Sequence, residues 1–409
     1  MVESYLSERE IVGEEFPKNM TAGVPQGSVR APTLWNLLYD GVLQLKVPED
    51  VTLLAYADDL AIIALGRTEE ELETKANITL DIVGSWMLDN KLVVAPTKSE
   101  AMIMSGRKAC RPITIKFGNQ EIPQKDSVKY LGVVLDKKLC FNQHIDYVTA
   151  KAEKTVAALS RIVPNLGGPG ENKRRLLQYA ADSIILHAAP TWFESLKIKK
   201  NKSKLLSIQR KFVLRVGCLY RTVSTEAAAV VSRVIPIDLL LTGRARTFDQ
   251  NKEEKIRARE NTINSWQQQW DLSSKGRWTK TLIPELNPWL KRTHGEIDYF
   301  LSQALTGHGC FQEFVHRIGK ATTPTCLFCE ENDGPEHTIF RCRRWDQDRH
   351  TAQAIVGQSI NKDNMIKLMI ESSNNWETIK TMITNIMKNK SEYVRRLRAE
   401  QDRLAAQST

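Results

Sequence analysis

A pair of adjacent aspartates caught between two apolar runs constrains this chain more than any other feature. Val51-Thr-Leu-Leu-Ala-Tyr-Ala reads as a strand and Leu60-Ala-Ile-Ile-Ala-Leu as its partner. Asp58 and Asp59 fall between them, so they sit on or beside a tight antiparallel hairpin turn. Thr68-Glu-Glu-Glu then opens a helix with a Thr cap and a Glu three residues on. Leu72, Ala76, Leu80, Val83, Trp86 and Met87 give that helix its apolar stripe. Asn90 to Pro96 breaks it, and strand character resumes from Ser99 to Met104. Thr114-Ile-Lys-Phe and the run from Val128 to Leu135 predict a second strand pair, which makes the region α+β with an antiparallel sheet.

From His144 onward the pattern is helical. Ile145 to Ile162 is amphipathic and stops at Pro164 and the Gly167-Gly-Pro-Gly170 loop, and Arg174 to His187 and Lys204 to Val216 predict further helices. Between Ser195 and Thr225 stand nine Lys or Arg and no Asp or Glu, a run that by itself describes a solvated face as readily as a nucleic-acid surface. Trp266, Trp270, Trp278 and Trp289 mark a Trp-rich region, and spaced tryptophans among helices are core residues before they are base-stacking platforms. The basic stretch Lys388 to Arg403 predicts a helical tail.

Composition narrows the class. With 42% hydrophobic and 26% charged residues the chain is globular, and its net charge of +10 suits an anionic partner such as nucleic acid. No apolar run approaches the roughly 20 residues that span a bilayer. Acidic residues at Glu3, Glu8 and Glu10 stand where a signal peptide needs a basic lead, so a secreted or membrane protein is not expected. Seven cysteines are too sparse for a disulfide scaffold; Cys110, Cys140, Cys218 and Cys310 stand alone.

Two clusters carry chemistry. Adjacent carboxylates at a hairpin turn repel each other and gain nothing from a core, and a divalent cation compensates them; hard oxygen ligands select Mg²⁺ or Mn²⁺. Two such ions can activate an attacking hydroxyl and stabilise a leaving oxygen in phosphoryl transfer. Ordinary turn chemistry also places Asp-Asp at such a position. Near the C-terminus, Cys326-x2-Cys329-x7-His337-x4-Cys342 has the spacing of zinc ligands, with loop-forming residues between. Four protein ligands leave no open position, so the expected Zn²⁺ is structural. Arg341, Arg343 and Arg344 stand beside it for phosphates, while His308 and Cys310 read as packing residues.

The order of motifs carries further. Gly23-Val-Pro-Gln-Gly-Ser28, then Tyr56-Ala-Asp-Asp59, then Thr97-Lys-Ser-Glu100, then Tyr130-Leu-Gly132 resembles the palm of reverse transcriptases. More narrowly it is similar to the polymerase of non-LTR, type-1 retrotransposable elements of arthropods. That likeness continues through Gly217-Cys-Leu-Tyr-Arg-Thr-Val-Ser-Thr-Glu-Ala and Leu305-Thr-Gly-His-Gly-Cys-Phe311. The resemblance implies that Asp58 and Asp59 are Mg²⁺ ligands of the catalytic turn and that Tyr56 lies near the primer end. Gln26 and Gly27 would lie near template and incoming nucleotide, and Lys98 near the triphosphate as the acid for pyrophosphate departure. Val128 to Val133 would form the primer-grip hairpin. With both sites in view, Lys197, Lys199, Lys200, Lys202, Lys204, Arg210, Lys211 and Arg215 become candidate phosphate contacts of a helical thumb.

Two departures stand out. The family's first catalytic motif, whose aspartate bridges both metals, and the fingers are not found ahead of Gly23, and Arg30-Ala31 replaces the usual Leu-Gly. The chain therefore reads as the product of a 5′-truncated element or an incomplete gene model, and is expected to be inactive as it stands. The expected organisation is a partial palm over 1–140, a helical thumb or connection over 141–250, and a Trp-rich helical linker over 251–320. A Cys-Cys-His-Cys zinc module over 321–350 and a basic helical tail over 351–409 complete it. The implied function is a fragment of an RNA-directed DNA polymerase that copies element RNA from a target-DNA primer using dNTPs. The alternative is a non-catalytic RNA- or DNA-binding protein derived from such an element. Family logic places it in the nucleus, with a cytoplasmic ribonucleoprotein stage, and not at a membrane.

Overall fold

A computed structural model describes residues 2–7, 9–11, 18–20, 23–25, 27–107 and 110–407. The chain forms two compact units, residues 1–130 with 135–139, and residues 131–134 with 140–409. It mixes helices with small antiparallel sheets.

In the first unit, α1 (Val2–Leu6) precedes the short antiparallel pair β1 (Arg9–Ile11) and β2 (Lys18–Met20). Helix α2 (Ala31–Leu43) starts with Pro32 in its first turn, where proline's missing N–H forfeits no helical bond. Strands β3 (Val51–Tyr56) and β4 (Asp59–Ala64) then pair antiparallel with Tyr56 opposite Asp59, so Ala57 and Asp58 alone make the turn. Alternation sends Leu53 and Ala55 to one face. There they meet the buried cluster Tyr39, Val42, Val83 and Met87 of α2 and α3 (Glu69–Asp89). Leu54 and Tyr56 point the other way and are 46% and 65% exposed.

The cap of α3 forms as one half of the expected motif. Thr68 accepts the Glu71 N–H at 3.2 Å, but the Glu71 carboxylate accepts from the Arg67 N–H and pairs with Lys75 instead of closing back on Thr68. Ser99 to Met104, expected as a strand, carries only an isolated bridge from Ala101 to Gln124. Its partner segment begins with Pro123, which has no N–H to extend a ladder. The expected pairing of 114–117 with 128–135 is also replaced by two local hairpins. Strand β5 (Ile115–Phe117) pairs with β6 (Gln120–Ile122). The run 128–135 folds on itself as β7 (Ser127–Tyr130) and β8 (Val133–Asp136). Leu131 and Gly132, at φ 45° and 83°, give the left-handed pair of turn residues that suits a two-residue hairpin, so one apolar run becomes two strands.

The second unit is helical. Helix α4 (Asn142–Ser160) begins three residues before its expected start, after Phe141 in the left-handed region. Its face of Ile145, Val148, Ala152 and Val156 is buried against α5 (Glu171–Ile185) and α7 (Lys199–Val216), with short α6 (Ala189–Trp192) between them in sequence. Next come α8 (Thr225–Val231), α9 (Ile237–Arg246), the long α10 (Lys252–Leu272), α11 (Arg277–Leu282) and α12 (Leu286–Lys291). Then α13 (Tyr299–Thr306), α14 (Gln312–Arg317), α15 (Asp346–Val356) and α16 (Met365–Glu371) lead to α17 (Ser373–Gln407). Helices α13, α15 and α16 all pack on α17.

The segment expected as a basic tail therefore starts as core. Trp376, Ile379, Ile383, Ile386 and Met387 of α17 are fully buried. Trp266, Trp270 and Trp289 also lie inside and Trp278 is half-buried; Trp270 donates to the Ile283 carbonyl at 2.9 Å, Trp289 to Val230 at 2.8 Å and Trp278 to Ala304 at 2.7 Å. Among the described residues, no helix is long and apolar enough to cross a membrane.

Candidate functional site

The hairpin tip is held from below by α2. Ala57 adopts φ 54°, and its carbonyl accepts the Trp35 indole N–H at 2.9 Å. The Tyr39 hydroxyl reaches the Asp58 carbonyl at 3.5 Å, and its ring stacks on Trp35 with centroids 5.1 Å apart. Two aromatic side chains one helical turn apart thus fix the turn backbone while the Asp58 and Asp59 side chains stay exposed. The negative charge is felt locally: burial first, then Asp58 and Asp59, raise the Tyr39 hydroxyl above its ordinary range. Two exposed carboxylates on a fixed turn can bind a hard divalent cation from one side. Among the described residues no third acid, His or Cys joins them, since the one cluster of three or more such groups lies elsewhere.

The other residues expected around this tip are placed as follows. Gln26 lies outside the described residues. Gly27 sits at φ 84° in open space, in a turn closed by the Ser28 N–H on the Pro25 carbonyl at 3.3 Å. The Gly23 carbonyl accepts from Arg9 at 2.6 Å. Tyr56 is exposed beside the carboxylates, on the strand position opposite Asp59. Lys98 ends a single 3-10 turn, Pro96–Lys98, and is exposed; no hydrogen bond or ion pair joins it to Asp58 or Asp59.

The acid-free run of sequence is not acid-free in space. Lys197 pairs with Glu194, Lys202 with Asp238 of α9 at 2.7 Å, and Lys204 and Lys211 with Asp146 and Glu153 of α4. Arg210 is spent on structure, donating to the carbonyls of Arg221 at 2.7 Å and Val223 at 2.6 Å. Lys199 and Lys200 remain exposed without an ion-pair partner among the described residues, and Arg215 is half-buried.

The cysteine-histidine motif closes into a cluster. Cys326, Cys329, His337 and Cys342 bring four donor atoms within 4.8 Å of one another. The Cys342 sulfur is 3.9 Å from those of both Cys326 and Cys329, and the Cys329 sulfur is 3.1 Å from His337 Nε2. His337 starts a π-helical turn, and its Nδ1 meets the Glu331 carboxylate at 3.1 Å, which leaves Nε2 facing the sulfurs. Glu330 at φ 60° turns the chain after Cys329, and the Cys326 N–H donates to the Glu331 carbonyl at 2.7 Å. Burial pushes the Cys342 thiol up to about 12, with Cys326 and Cys329 adding to the shift, because three thiolates this close repel one another where no cation stands between them. The two sulfur–sulfur separations are near the about 3.8 Å between thiolates of a tetrahedral zinc, while the sulfur–nitrogen contact is shorter than such a site requires.

Around it, Arg341 pairs with Glu336, Arg344 lies over the rings of Phe328 and Trp345, and Arg343 is exposed. His308 and Cys310 pack outside the cluster, His308 against Phe314 and Thr222. Sequence reading missed the anchor of this module. Asp333, fully buried, accepts from Lys390 of α17 at 2.6 Å, from Thr338 at 2.6 Å and from the Gln312 N–H at 2.8 Å. The only sequence signal was a lysine on the apolar stripe of α17, hidden by the basic residues after it.

Comparison with known proteins places the tip inside a matched family segment. The reverse transcriptase (RNA-dependent DNA polymerase) family matches residues 1–135. The chain is 26% identical to the retrovirus-related Pol polyprotein from type-1 retrotransposable element R1 2 of Nasonia vitripennis, over 93% of this chain and 99% of that one. It is 29% identical to the putative 115 kDa protein in type-1 retrotransposable element R1DM of Drosophila melanogaster, over 79% of this chain and 34% of that protein. A further relative, the Pol polyprotein of element R1 from Bradysia coprophila, is 27% identical over 81% of this chain and 35% of its own length. The chain thus spans about a third of these last two relatives. No solved structure matches it.

Proposed function

We propose that this chain, which belongs to the reverse transcriptases of non-LTR retrotransposable elements, is the palm, thumb and zinc-binding part of a polymerase that copies element RNA from a target-DNA primer. The observation that carries the reading is the exposed carboxylate pair on a turn clamped by Trp35 and Tyr39. In the reaction, a primer 3′-hydroxyl attacks the α-phosphate of a dNTP and pyrophosphate leaves. Mg²⁺ bound at Asp58 and Asp59 would supply charge neutralisation for that displacement. The chain's own residues position the parts: Tyr56 flanks the primer end, Gly27 lets template backbone approach, Gln26 hydrogen-bonds near the nucleotide, and Lys98 delivers a proton to the leaving pyrophosphate. Cys326, Cys329, His337 and Cys342 hold a structural Zn²⁺ that shapes a nucleic-acid grip with Arg343 at its rim. Lys199, Lys200 and Arg215 are the phosphate contacts of the thumb, and the paired lysines of α7 serve it only by exchanging partners. The working compartment is the nucleus, after assembly with RNA in the cytoplasm.

A second reading has its own support. Two carboxylates without a third acidic partner among the described residues leave the metal site short of charge, and electrostatic stabilisation is commonly the largest catalytic contribution. A chain in that state binds RNA and DNA without polymerising. Primer extension on an RNA template with Mg²⁺, run beside a binding assay, separates the two. Extension that disappears in D58N/D59N while affinity holds within about twofold supports the polymerase. Equal extension by both proteins would sink the site. No extension by either, with binding intact, leaves the non-catalytic reading.

A further inference from the structure

A cleft in the helical unit, between α4 and α7 and bordered by α13, shares only Arg215 with the phosphate contacts assigned above to the thumb. Its volume is about 680 Å³, within the range of small-ligand sites, about 300–1,000 Å³. Leu214 and Leu219 give it an apolar lining, and Tyr220 and Tyr299 form part of its wall. The two phenols are preset: their hydroxyls hydrogen-bond at 2.6 Å, their rings lie 5.8 Å apart tilted by 31°, and Phe314 backs Tyr220 edge-on at 6.4 Å. Arg161, Arg215 and Arg221 also line it, and none has a side-chain hydrogen bond or an acidic partner among the described residues. The remaining charges, Lys211 and Glu153, neutralise each other.

We propose that this cleft seats an unpaired stretch of a single-stranded polynucleotide, its phosphates on Arg161, Arg215 and Arg221 and a base against Tyr220 and Tyr299. The proposal rests on the reading of this unit as a nucleic-acid grip and names the substrate class of one part of it. A double helix hides its base faces in the stack and presents phosphates and base edges, so it has no face to lay against aromatic walls in an apolar concavity. A single strand has both a charged backbone and free base faces, and uncommitted arginines beside a rigid aromatic pair answer both. The contrast with the exposed face of α7 is internal to the unit: its lysines are largely matched by carboxylates, whereas these three guanidiniums are not.

The test uses the full chain, a short fluorescein-labelled oligouridylate, its DNA counterpart and an RNA duplex, read by anisotropy. R161Q/R221Q alters two exposed side chains and should weaken single-strand binding about tenfold while duplex binding moves by about twofold or less. Y220L, checked for fold by circular dichroism, should weaken single-strand binding about tenfold as well. Because Y220L can disturb packing, wild-type protein is also photo-crosslinked to 4-thiouridine RNA, with crosslinks expected on peptides carrying Tyr220 or Tyr299. A similar loss with RNA and DNA identifies the backbone and base face as the ligand, and a loss confined to RNA adds the 2′-hydroxyl. Equal weakening of single strand and duplex in R161Q/R221Q, or crosslinks confined to other peptides, overturns the proposal. K199Q/K200Q separates it from the thumb reading: unchanged duplex affinity in that variant counts against the thumb face and leaves the cleft standing.

Discussion

The carboxylate tip and the cysteine-histidine cluster both gather groups that can ligate a cation, and they are opposites in construction. Asp58 and Asp59 offer two donors, exposed, on a turn whose backbone alone is held, by Trp35 and Tyr39 from a helix earlier in the chain. The cluster offers four donors, three of them buried, within one short segment, and its histidine is oriented by Glu331. The first geometry would leave coordination positions open for something that comes and goes. The second would enclose an ion and make it part of the fold. Removing a ligand from each should therefore have opposite consequences, one for chemistry and one for stability.

The largest effect is expected at the closed site. C342S should lower the melting temperature by about 10 °C or more and reduce bound zinc below one per chain by elemental analysis. A melting curve that chelator and C342S leave unchanged would mean that the cluster holds no structural ion. Next comes its support. K390M leaves the Asp333 carboxylate buried and uncompensated and should cost about 3–5 kcal/mol in urea unfolding. D333N/K390M should recover part of that loss, because no bare charge is then left inside.

Acid sharpens the contrast between a unit stabilised by burial and an exposed tip. His144 is fully buried, its Nδ1 accepts the Val134 N–H at 3.2 Å, and burial lowers its pKa to about 4. Its folded value lies below the unfolded value of about 6.5, so the unfolded chain binds the proton more tightly. Stability from this residue is present above pH 6.5 and drains away as pH falls toward about 4. The helical unit should lose about 3 kcal/mol across that window, and NMR titration of the imidazole should place its midpoint near the lower end. The smallest effect belongs to the tip. W35F removes one hydrogen bond to the Ala57 carbonyl and should cost about 1 kcal/mol, read as faster amide exchange at residues 57–59. A loss as large as that of K390M would show that the turn is as deeply structural as the cluster.

What was legible in the sequence follows the same division. The hairpin around Asp58 was readable because two apolar runs and a two-residue turn are local signals, and the Cys-x2-Cys spacing is local too. The run 128–135 misled as a partner for 114–117, because each segment finds its own local hairpin, although the turn at Leu131 and Gly132 is marked by its glycine. The lysines of α7 misled because charge was counted along the chain, while Asp146, Glu153 and Asp238 answer them from other helices. Asp333 and Lys390 could not be paired from sequence at all, since nothing local requires a lysine on an apolar stripe to find an acid 57 residues away. Non-local compensation of charge is what a sequence hides best.

The bond between Lys390 and Asp333 also sets a timetable. As the chain emerges from the ribosome, the thiols and imidazole of 326–342 appear well before the helical turn that carries Lys390. Until that turn arrives, Asp333 must stay hydrated, and the loop around it cannot take its buried place. The cysteine-histidine segment is therefore finished from behind, by residues made after it. A chain whose synthesis stops ahead of Lys390 would leave Asp333 without its cation and the loop that carries the four donors without its anchor.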